Sequence, residues 1–579
     1  MESSTKNPLL TDNNVHVNGD ADDQGIGLRI SSDQHAQPVQ LIKGGWKSAI
    51  YIIGVEVAER FAFYGTSGNL ITYLTDVLGQ STAKAAQNVN VWSGVATLLP
   101  LLGAIIADSY LGRFNTILIS SIIYVMGLVM LTLSVSTLIP LKFQFWVFFI
   151  SLYLVAIGEG GHKPCVQTFG AEQFDERIRE EKKAKGSFFN WWYFGLCSGS
   201  TGGLLVVFYI QENVGWMIGF SFPALAMVLA LVIFLLGSRS YRTHVPKGSP
   251  LVRIVQVFVA AYRKRHLLVS KDGVPLYEEE NRNDAGLASK GQIVTPTNQL
   301  KCLEKAAIKD KMDTSSDTKS DWRLCSVTQV EDAKLLLRLV PIWLSCLSFA
   351  VIFAQTGTYF TKQGSSMDRR IVHGFRIPSA SLHVITGLTI ISTVVIYDRI
   401  LVPIARSWTG IQSGITMLQR IGVGIFFGTL SVVAAALVES KRVQVATQYG
   451  LIDQPTVTIP MSVCWLLPQY VILGVADVFT IVGLQEFFYD QMPDEMKSMG
   501  AAVYLSVLGV GSFLSSLIIS VVKFASSENG DEWLGDNLNR AHLDYYYWLL
   551  AGLCTFALGV YIVVSRCYLY KKTVADVLL

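Results

Sequence analysis

The first long apolar stretch of the chain carries three ionisable side chains. Residues 46–75 read WKSAIYIIGVEVAERFAFYGTSGNLITYLT, and Glu56, Glu59 and Arg60 lie near the centre. A charged side chain facing lipid at the bilayer centre costs about 2.5–3.5 kcal/mol, so these three are expected to face protein or water. Their i,i+3 and i,i+4 spacing puts them on one helix face. The pattern favours a cluster that holds a proton or an ion, and a structural ion pair between packed helices is the alternative.

The composition is typical of a protein with many membrane-spanning helices. Of the 579 residues, 51% are hydrophobic and 16% are charged, whereas soluble domains average about 25% charged residues. The net charge of +3 is concentrated in a few loops, which excludes a nucleic-acid-binding surface. The 8 cysteines are scattered, and most lie in apolar stretches. This is typical of core packing and not of a disulfide framework or a metal site. We therefore expect the lipid bilayer as a partner, and neither nucleic acid nor metal.

Apolar segments of about 20 residues, long enough to cross a bilayer, recur along the chain in two groups of six. This predicts an all-α membrane protein with twelve transmembrane helices in two six-helix bundles. The predicted spans are 48–78, 88–108, 114–139, 143–166, 187–210, 216–237, 333–360, 379–400, 411–438, 461–488, 498–523 and 543–568.

Polar segments separate and flank the two groups. The bundles are predicted at residues 46–237 and 332–570, with a polar central loop at 238–331. Residues 1–45 are rich in Ser, Asn, Asp and Gln and predict a disordered N-terminus, and 571–579 form a short tail. Within the central loop, residues 250–268 have apolar positions at helical spacing beside a basic end. They predict an amphipathic helix on the membrane surface or between the bundles, with a disordered linker as the alternative.

The distribution of Lys and Arg predicts the orientation. The loop between spans 4 and 5, residues 172–185, carries five Lys/Arg, and the next loop carries none. By the positive-inside rule, both termini and the central loop are cytoplasmic. Arg369 and Arg370 are the exception, because this topology places them outside. The protein is expected in the plasma membrane or the vacuolar membrane as a multi-pass protein.

Ordered motifs identify a family. Residues 103–113, GAIIADSYLGR, resemble the loop signature of the major facilitator superfamily, and Asp108 and Arg113 are expected to pin neighbouring helix ends in a gating structure. The other motifs are EVAER at 56–60, GEGGHKPCVQTFGAEQF at 158–174, FFNWWYFG at 188–195 and LQEFFYDQMPDEMKSMG at 484–500. In this order, residues 46–571 resemble the proton-coupled oligopeptide transporter family. The long central loop and residues 367–382 resemble its plant nitrate and peptide transporter branch.

The resemblance implies roles for individual residues. It implies that Glu56, Glu59 and Arg60 handle the proton, and that Arg60 and Lys163 bind and couple the substrate. It also implies a proton gradient as the energy source, without a cofactor. The sequence contains neither a GxxxxGK[ST] nor an HExxH motif, so neither ATP hydrolysis nor metalloprotease activity is expected, and no residue suggests an enzyme.

Departures from the family pattern concern the charge partner of Lys163. In the tenth span the family usually has a glutamate that pairs with this lysine, and this chain has Asp477 instead. Glu159 precedes Lys163 by four residues, which is the favourable order for a helical ion pair. We hypothesise that Glu159 shares or replaces the role of Asp477 in neutralising Lys163.

Two further departures concern the solute. Nitrate-specific relatives can carry a histidine near Phe353, but span 7 contains none, which disfavours nitrate by that route. Phe353 is expected at the substrate site. Cys197 replaces an asparagine of the family, which removes an amide and disfavours a peptide. A bulkier organic solute such as a plant hormone or metabolite stays open.

These observations predict a symporter of a small anionic or carboxylate-bearing solute that works by alternating access. Nitrate, a short peptide and a plant hormone or metabolite are the candidate solutes. The alternatives are a proton-independent uniporter or exchanger, or a transporter-like sensor. A kinase acting on the cytoplasmic loops is a further partner: the spacing of Arg113 and Thr116 fits a kinase site, and a helix-start role for Thr116 is the alternative.

Overall fold

A computed structural model of the protein describes most of the predicted membrane region. The predicted disordered N-terminus up to residue 43, the low-complexity run at 310–321 and the tail at 571–579 lie outside the described residues. The described residues are 44–136, 138–175, 178–243, 250–267, 277, 300–309, 322–372, 375–410, 414–492, 497–528, 532–568 and 570.

The described residues of the first half of the chain form eight helices. These are α1 (Trp46–Ser67), α2 (Leu70–Asp76), α3 (Thr82–Ile106), α4 (Arg113–Ser134), α5 (Leu141–Ala171), α6 (Arg179–Gly202), α7 (Phe208–Asn213) and α8 (Trp216–Gly237). A π-helical turn at Ala107–Leu111 extends α3, and another at Gly203–Val207 joins α6 to α7. Helix α1 packs against α6 and α8, and α5 packs against α3 and α4.

The second half is also mainly helical. Its helices are α9 (Pro250–Arg263), α10 (Val327–Ser345), α11 (Leu347–Ala354), α12 (Thr361–Ser365), α13 (His383–Ile396), α14 (Val402–Thr409), α15 (Met417–Gln448), α16 (Leu467–Gln491), α17 (Lys497–Glu528) and α18 (Leu543–Cys567). Four short strands form two small sheets: β1 (Met367–Asp368) is parallel to β4 (Ile459–Ser462), and β2 (Arg370–Val372) is antiparallel to β3 (Phe375–Arg376). Helix α16 lies between α13, α15 and α17.

The predicted all-α membrane fold is confirmed. Within the described residues, 10 helices are long and apolar enough to cross a membrane, or 11 if the bent pair of α10 and α11–α12 is one span. Helix α1 is 22 residues long and packs beside two of these spans. It is not counted among the apolar helices because it carries four charged residues, Lys47, Glu56, Glu59 and Arg60. Each of the twelve predicted spans overlaps one of these helices or helix pairs.

Two predicted spans are interrupted. The first breaks between α1 and α2, where the ring of Phe208 occupies the space that a side chain on Gly68 would need. The seventh bends by 44° between α10 and α11, one turn after Pro341, which has no N–H for a helical hydrogen bond. The apolar segments predicted from hydropathy run across both breaks, so segment length alone does not reveal them.

The predicted amphipathic helix in the central loop is α9, so the disordered-linker alternative is wrong for Pro250–Arg263. Its buried face includes Ile254 and Val257, and it packs on the short 3-10 helix Lys301–Ala307 and on α10. Lys264 follows directly, is buried, and donates a hydrogen bond from Nζ to the carbonyl of Ile308 at 2.6 Å. This part of the central loop is therefore attached to the second half of the chain.

The two halves meet at the end where α1 finishes and α3 begins. Asp76 pairs with Lys362 at 2.8 Å, and Glu212 pairs with Arg369 at 2.7 Å. Helix α3 packs along α17, where the Asn90 amide donates to the Ser515 hydroxyl at 3.1 Å. The pair with Glu212 also compensates the charge of Arg369, which with Arg370 does not fit the predicted orientation.

Candidate functional site

Helix α1 buries one guanidinium between two carboxylates. Arg60 Nε lies 2.8 Å from Glu56 Oε1 and 2.8 Å from Glu59 Oε2. All three side chains are buried, and Glu59 is 0% exposed. The contact with Glu56 has hydrogen-bond geometry, whereas both oxygens of Glu59 lack a hydrogen-bond partner among the described residues. One cation thus serves two carboxylates and satisfies only the first.

Helix α5 places a second ion pair beside the first. Lys163 Nζ lies 3.1 Å from Glu159 Oε1 and 5.4 Å from the centroid of the Phe63 ring on α1. Glu159 is fully buried, and the Lys163 side chain is 23% exposed. Tyr504 of α17 lies close enough to interact with the lysine charge. Lys163 therefore points between α1 and α5, toward the second half of the chain, and not to a helix end.

Glycines hold α5 in this position. Gly158 packs against Tyr124 and Gly161 against Ser120, both on α4, while Gly160 packs against α3. A side chain at any of these glycines would overlap its neighbour, so α5 is held closely between two helices. Pro164 has no N–H, and the carbonyl of Gly160 accordingly loses its helical partner beside the lysine.

The charges of this cluster do not balance. It contains three carboxylates, Glu56, Glu59 and Glu159, and two cations, Arg60 and Lys163. With every group ionised the cluster has one negative charge in excess. An uncompensated buried charge costs several kcal/mol. A single proton on one carboxylate removes the excess, so the arrangement is chemically suited to bind a proton.

The structure brings Glu159, and not Asp477, to Lys163. Asp477 on α16 is buried, its Oδ1 has no hydrogen-bond partner, and it forms no ion pair within the described part of the chain. The predicted Lys163–Asp477 pair is thus not formed in this conformation, because α5 and α16 belong to halves that meet at the opposite end. Phe353 follows the bend between α10 and α11 and is half-buried against the core.

The superfamily motif joins three helix ends. Arg113 Nη2 lies 3.1 Å from Asp108 Oδ1, and its Nη1 contacts Glu172 at the end of α5. The Thr116 hydroxyl is buried and donates to the carbonyl of Gly112, four residues earlier, at 2.9 Å, so Thr116 lies within α4, does not cap it, and is not an exposed kinase site in this conformation. The gating role of Asp108 and Arg113 stays a prediction.

Sequence reasoning missed two buried residues at this site. Tyr124 on α4 and His162 on α5 are each 0% exposed, and neither the tyrosine hydroxyl nor the two ring nitrogens have a partner in the described structure. His162 lies between Glu159 and Lys163 in a motif that was already singled out. Nothing in the sequence distinguished Tyr124, because a tyrosine in an apolar span is ordinarily a packing residue.

Comparison with known proteins decides the family. A family model described as PTR2, POT family, matches residues 114–534. This chain belongs to the POT family. The Arabidopsis thaliana protein NRT1/PTR family 5.4 is 52% identical over 92% of this chain and 96% of its own length. Family 5.10 from the same plant is 51% identical over 96% of this chain and 99% of its own.

Solved structures of POT family proteins share the fold. The crystal structure of an auto-inhibited POT family peptide transporter has a TM-score of 0.66 at 21% identity, covering 91% of this chain and 98% of that one. A POT family transporter in complex with 5-aminolevulinic acid has a TM-score of 0.61 at 15% identity, covering 91% and 98%. The predicted family, the plant branch and the multi-pass membrane location are confirmed. The protein is a membrane transporter and not an enzyme.

Proposed function

We propose that this protein couples proton entry to the movement of a small anionic or carboxylate-bearing solute by alternating access. The observation that carries the proposal is the charge imbalance of the buried cluster. Three carboxylates face two cations at a site that apolar helices enclose. A proton gradient is then the energy source, and no cofactor takes part.

Coupling follows from the same charge count. A solute anion that binds Lys163 adds a negative charge to a site that already has one in excess. Protonation of a carboxylate offsets that charge, so anion and proton each favour the binding of the other. Protonation of Glu59 or Glu159 also releases a cation from its carboxylate, which leaves Arg60 or Lys163 available to the solute. A potential of 100 mV is worth about 2.3 kcal/mol for each charge moved, which is sufficient for substantial accumulation.

Alternating access is supported by where the halves meet. The ion pairs Asp76–Lys362 and Glu212–Arg369 join them at one end, while the cluster around Lys163 lies on other helices, α1 and α5. If the predicted orientation holds, this end faces outside and the conformation is open toward the cytoplasm. Rocking of two bundles, at residues 46–237 and 332–570, would break these pairs and expose the cluster to the other side.

The solute is expected to combine an anionic group with apolar surface. Arg60 and Lys163 provide positive charge, and the Phe63 ring provides aromatic surface 5.4 Å from Lys163 Nζ. One similar structure was solved with 5-aminolevulinic acid, a carboxylate-bearing solute on the same fold. Nitrate, short peptides and plant hormones or metabolites are the candidates. Asp477 and Phe353 are the proposed contacts from the second half of the chain.

A substrate panel in oocytes tests the proposal. Nitrate, dipeptides and plant hormones are supplied at acidic and at near-neutral external pH, to cells that express wild type, Glu59→Gln or Lys163→Gln in matched surface amounts. We expect at least one solute to enter cells with the wild-type protein faster at acidic than at near-neutral external pH. Neither variant should show this acceleration. Uptake with no pH dependence would favour a proton-independent uniporter or exchanger. Signalling that survives Lys163→Gln without any transport would favour a sensor. The choice between plasma and vacuolar membrane, and a kinase acting on the cytoplasmic loops, stay predictions.

A further inference from the structure

Several buried polar atoms converge next to the ion pairs without being satisfied. In the described residues, neither oxygen of Glu59, nor Oε2 of Glu159, nor the hydroxyl of Tyr124 has a hydrogen-bond partner. Buried polar groups in proteins are nearly always paired, since each unpaired one costs about 1–3 kcal/mol. Three such residues from three different helices, α1, α4 and α5, are therefore unlike ordinary packing.

The three residues share one environment. Tyr124 packs directly on Gly158, the residue before Glu159, and its hydroxyl is close enough to both Glu59 and Glu159 to interact with their charges. Glu59 in turn interacts with Glu159 and Lys163. The phenol thus lies beside the two carboxylates that have unused oxygens. No direct hydrogen bond joins the three in the described structure.

We propose that Glu59, Tyr124 and Glu159 form a binding site for a buried water molecule, through which the two carboxylates share one proton. A buried water ordinarily makes about three hydrogen bonds to otherwise unsatisfied groups, which is the number that these side chains offer. The inference rests on the proposed proton coupling and deepens it: Glu159 becomes a proton acceptor, and Tyr124 becomes a positioning residue.

The proton step balances. Protonated Glu59 gives its proton to the water, and the same water gives another of its protons to Oε2 of Glu159. The water is unchanged, Glu59 becomes a carboxylate, and Glu159 becomes a neutral acid. Neutral Glu159 no longer attracts Lys163, so the lysine is free for an anionic solute, while Arg60 retains charged Glu56 and Glu59. Transfer of one proton from Glu59 to Glu159 thus makes one cation, Lys163, available to the solute.

Other charged or titratable groups surround the site and set its charge. The groups that face it from the packed elements are Glu56, Arg60 and Tyr64 on α1, His162 and Lys163 on α5, and Tyr504 on α17. The His162 ring lies near the Arg60 guanidinium. A protonated His162 would place a second cation beside Arg60 and would be repelled by it, which favours the carboxylates as the groups that exchange the proton.

Infrared difference spectroscopy of the full-length protein, reconstituted in lipid and stepped between neutral and acidic pH, tests the proposal. In wild type we expect a carboxylic-acid C=O band and a water O–H band to change together, and the water band to shift when the solvent is H₂¹⁸O. In Tyr124→Phe we expect the water band to be lost and the midpoint pH of the carboxyl band to change by about one unit, since a hydrogen bond to a charged group is worth about 1.5–3 kcal/mol. Glu159→Gln should remove one carboxyl component and the water band.

The matched control is Tyr73→Phe. Tyr73 is also 0% exposed with an unpartnered hydroxyl, but it stacks on Phe148 away from the cluster, so its spectrum should equal that of wild type. Tyr124→Phe removes only a hydroxyl without a partner, and the fold should be kept. An unchanged water band and midpoint in both Tyr124→Phe and Glu159→Gln would overturn the inference. If Glu59→Gln still abolished acid-stimulated uptake, the proposed function would nevertheless stand.

Discussion

Two helices bury a Glu–Arg pair, and the two pairs differ in how completely they are satisfied. On α15, Arg442 is 0% exposed and donates to both oxygens of Glu439, at 2.9 and 2.6 Å. It also donates to Asn539 Oδ1 and to the carbonyl of Leu538, each at 2.7 Å. On α1, Arg60 shares one nitrogen between two carboxylates.

The difference separates a fully paired network from one with unpaired carboxylate oxygens. The Arg442 network joins α15 to the segment before α18 and leaves no oxygen of Glu439 unpaired within the described structure. Glu439 therefore offers no unpaired oxygen to a proton or a solute. The Arg60 cluster has spare carboxylate oxygens and an excess negative charge, which a proton can satisfy. The α15 network has the properties of a structural ion pair, and proton binding by the α1 cluster stays a prediction.

The largest expected effect is on α15. Arg442→Leu leaves Glu439 buried and unpaired, and we expect a loss of about 3–5 kcal/mol in the free energy of unfolding. Thermal unfolding in detergent measures it. Arg60→Leu is the matched control, and it should cost less because Glu56 and Glu59 can take up protons. Equal losses in the two variants would remove the distinction between the clusters.

A pair of lysines extends the comparison. Lys334 is fully buried between Glu304 and Glu331, at 2.8 Å from each, whereas Lys163 is partly exposed beside Glu159. Lys334→Met should destabilise the protein by about 3 kcal/mol, because a buried and a partly buried carboxylate lose their cation. Lys163→Met deprives only Glu159 of its cation and should destabilise less, but it should abolish solute uptake. Unfolding temperature and uptake are measured on both, and a stable, inactive Lys334→Met would contradict the account.

Glu59→Gln should lower proton-driven uptake without lowering stability. Removing a buried carboxylate that has no hydrogen bond eliminates an unfavourable charge, so the free energy of unfolding should stay equal or rise by about 1 kcal/mol. Uptake at acidic external pH should fall about tenfold or more, as expected when an interaction of about 1.4 kcal/mol or more is lost. A clear drop in unfolding temperature would instead mean that Glu59 is part of a structural pair.

The smallest expected effect lies outside the spans, where Arg242 pairs with Glu181 at 2.7 Å. The hydrogen bond from Arg242 lowers the pKa of Glu181, with help from the backbone N–H of Asp175. The pair therefore stabilises the folded protein at pH values above the pKa of about 4.3 that a glutamate has in the unfolded chain. This stabilisation is lost as the pH falls through the lower pKa of Glu181 in the folded protein.

Glu181→Gln should thus cost under about 1 kcal/mol at neutral pH. The difference from wild type should vanish as unfolding is measured at pH values below 4. Glu180→Gln, a change at the exposed neighbour, is the control. A difference that persists at low pH would show that the pair does not act through the charge of Glu181.

Much of the fold was predictable, because bilayer thickness fixes the length of an apolar span. Recurring apolar segments predicted the twelve spans, and ordered motifs predicted the family. Helical spacing predicted the clustering of Glu56, Glu59 and Arg60. The Glu159–Lys163 contact also came from spacing, since residues four apart lie on one helix face.

Contacts between distant helices were not predictable. Glu439 and Arg442 are three residues apart, but nothing in the sequence shows that Asn539 completes their network. The pairs Asp76–Lys362 and Glu212–Arg369 join residues far apart in the chain, and their formation depends on how the halves meet. The same dependence explains why Asp477, which the family resemblance implied as a partner of Lys163, does not pair with it in this structure.

The central claim is that the Arg60 cluster binds the proton that drives transport. The most direct measurement is the inward current that the solute panel evokes at acidic external pH, in oocytes expressing wild type or Glu59→Gln at equal surface amounts. The account predicts a solute-dependent inward current in wild type that Glu59→Gln abolishes. Solute currents of equal size and equal pH dependence in both proteins would contradict it.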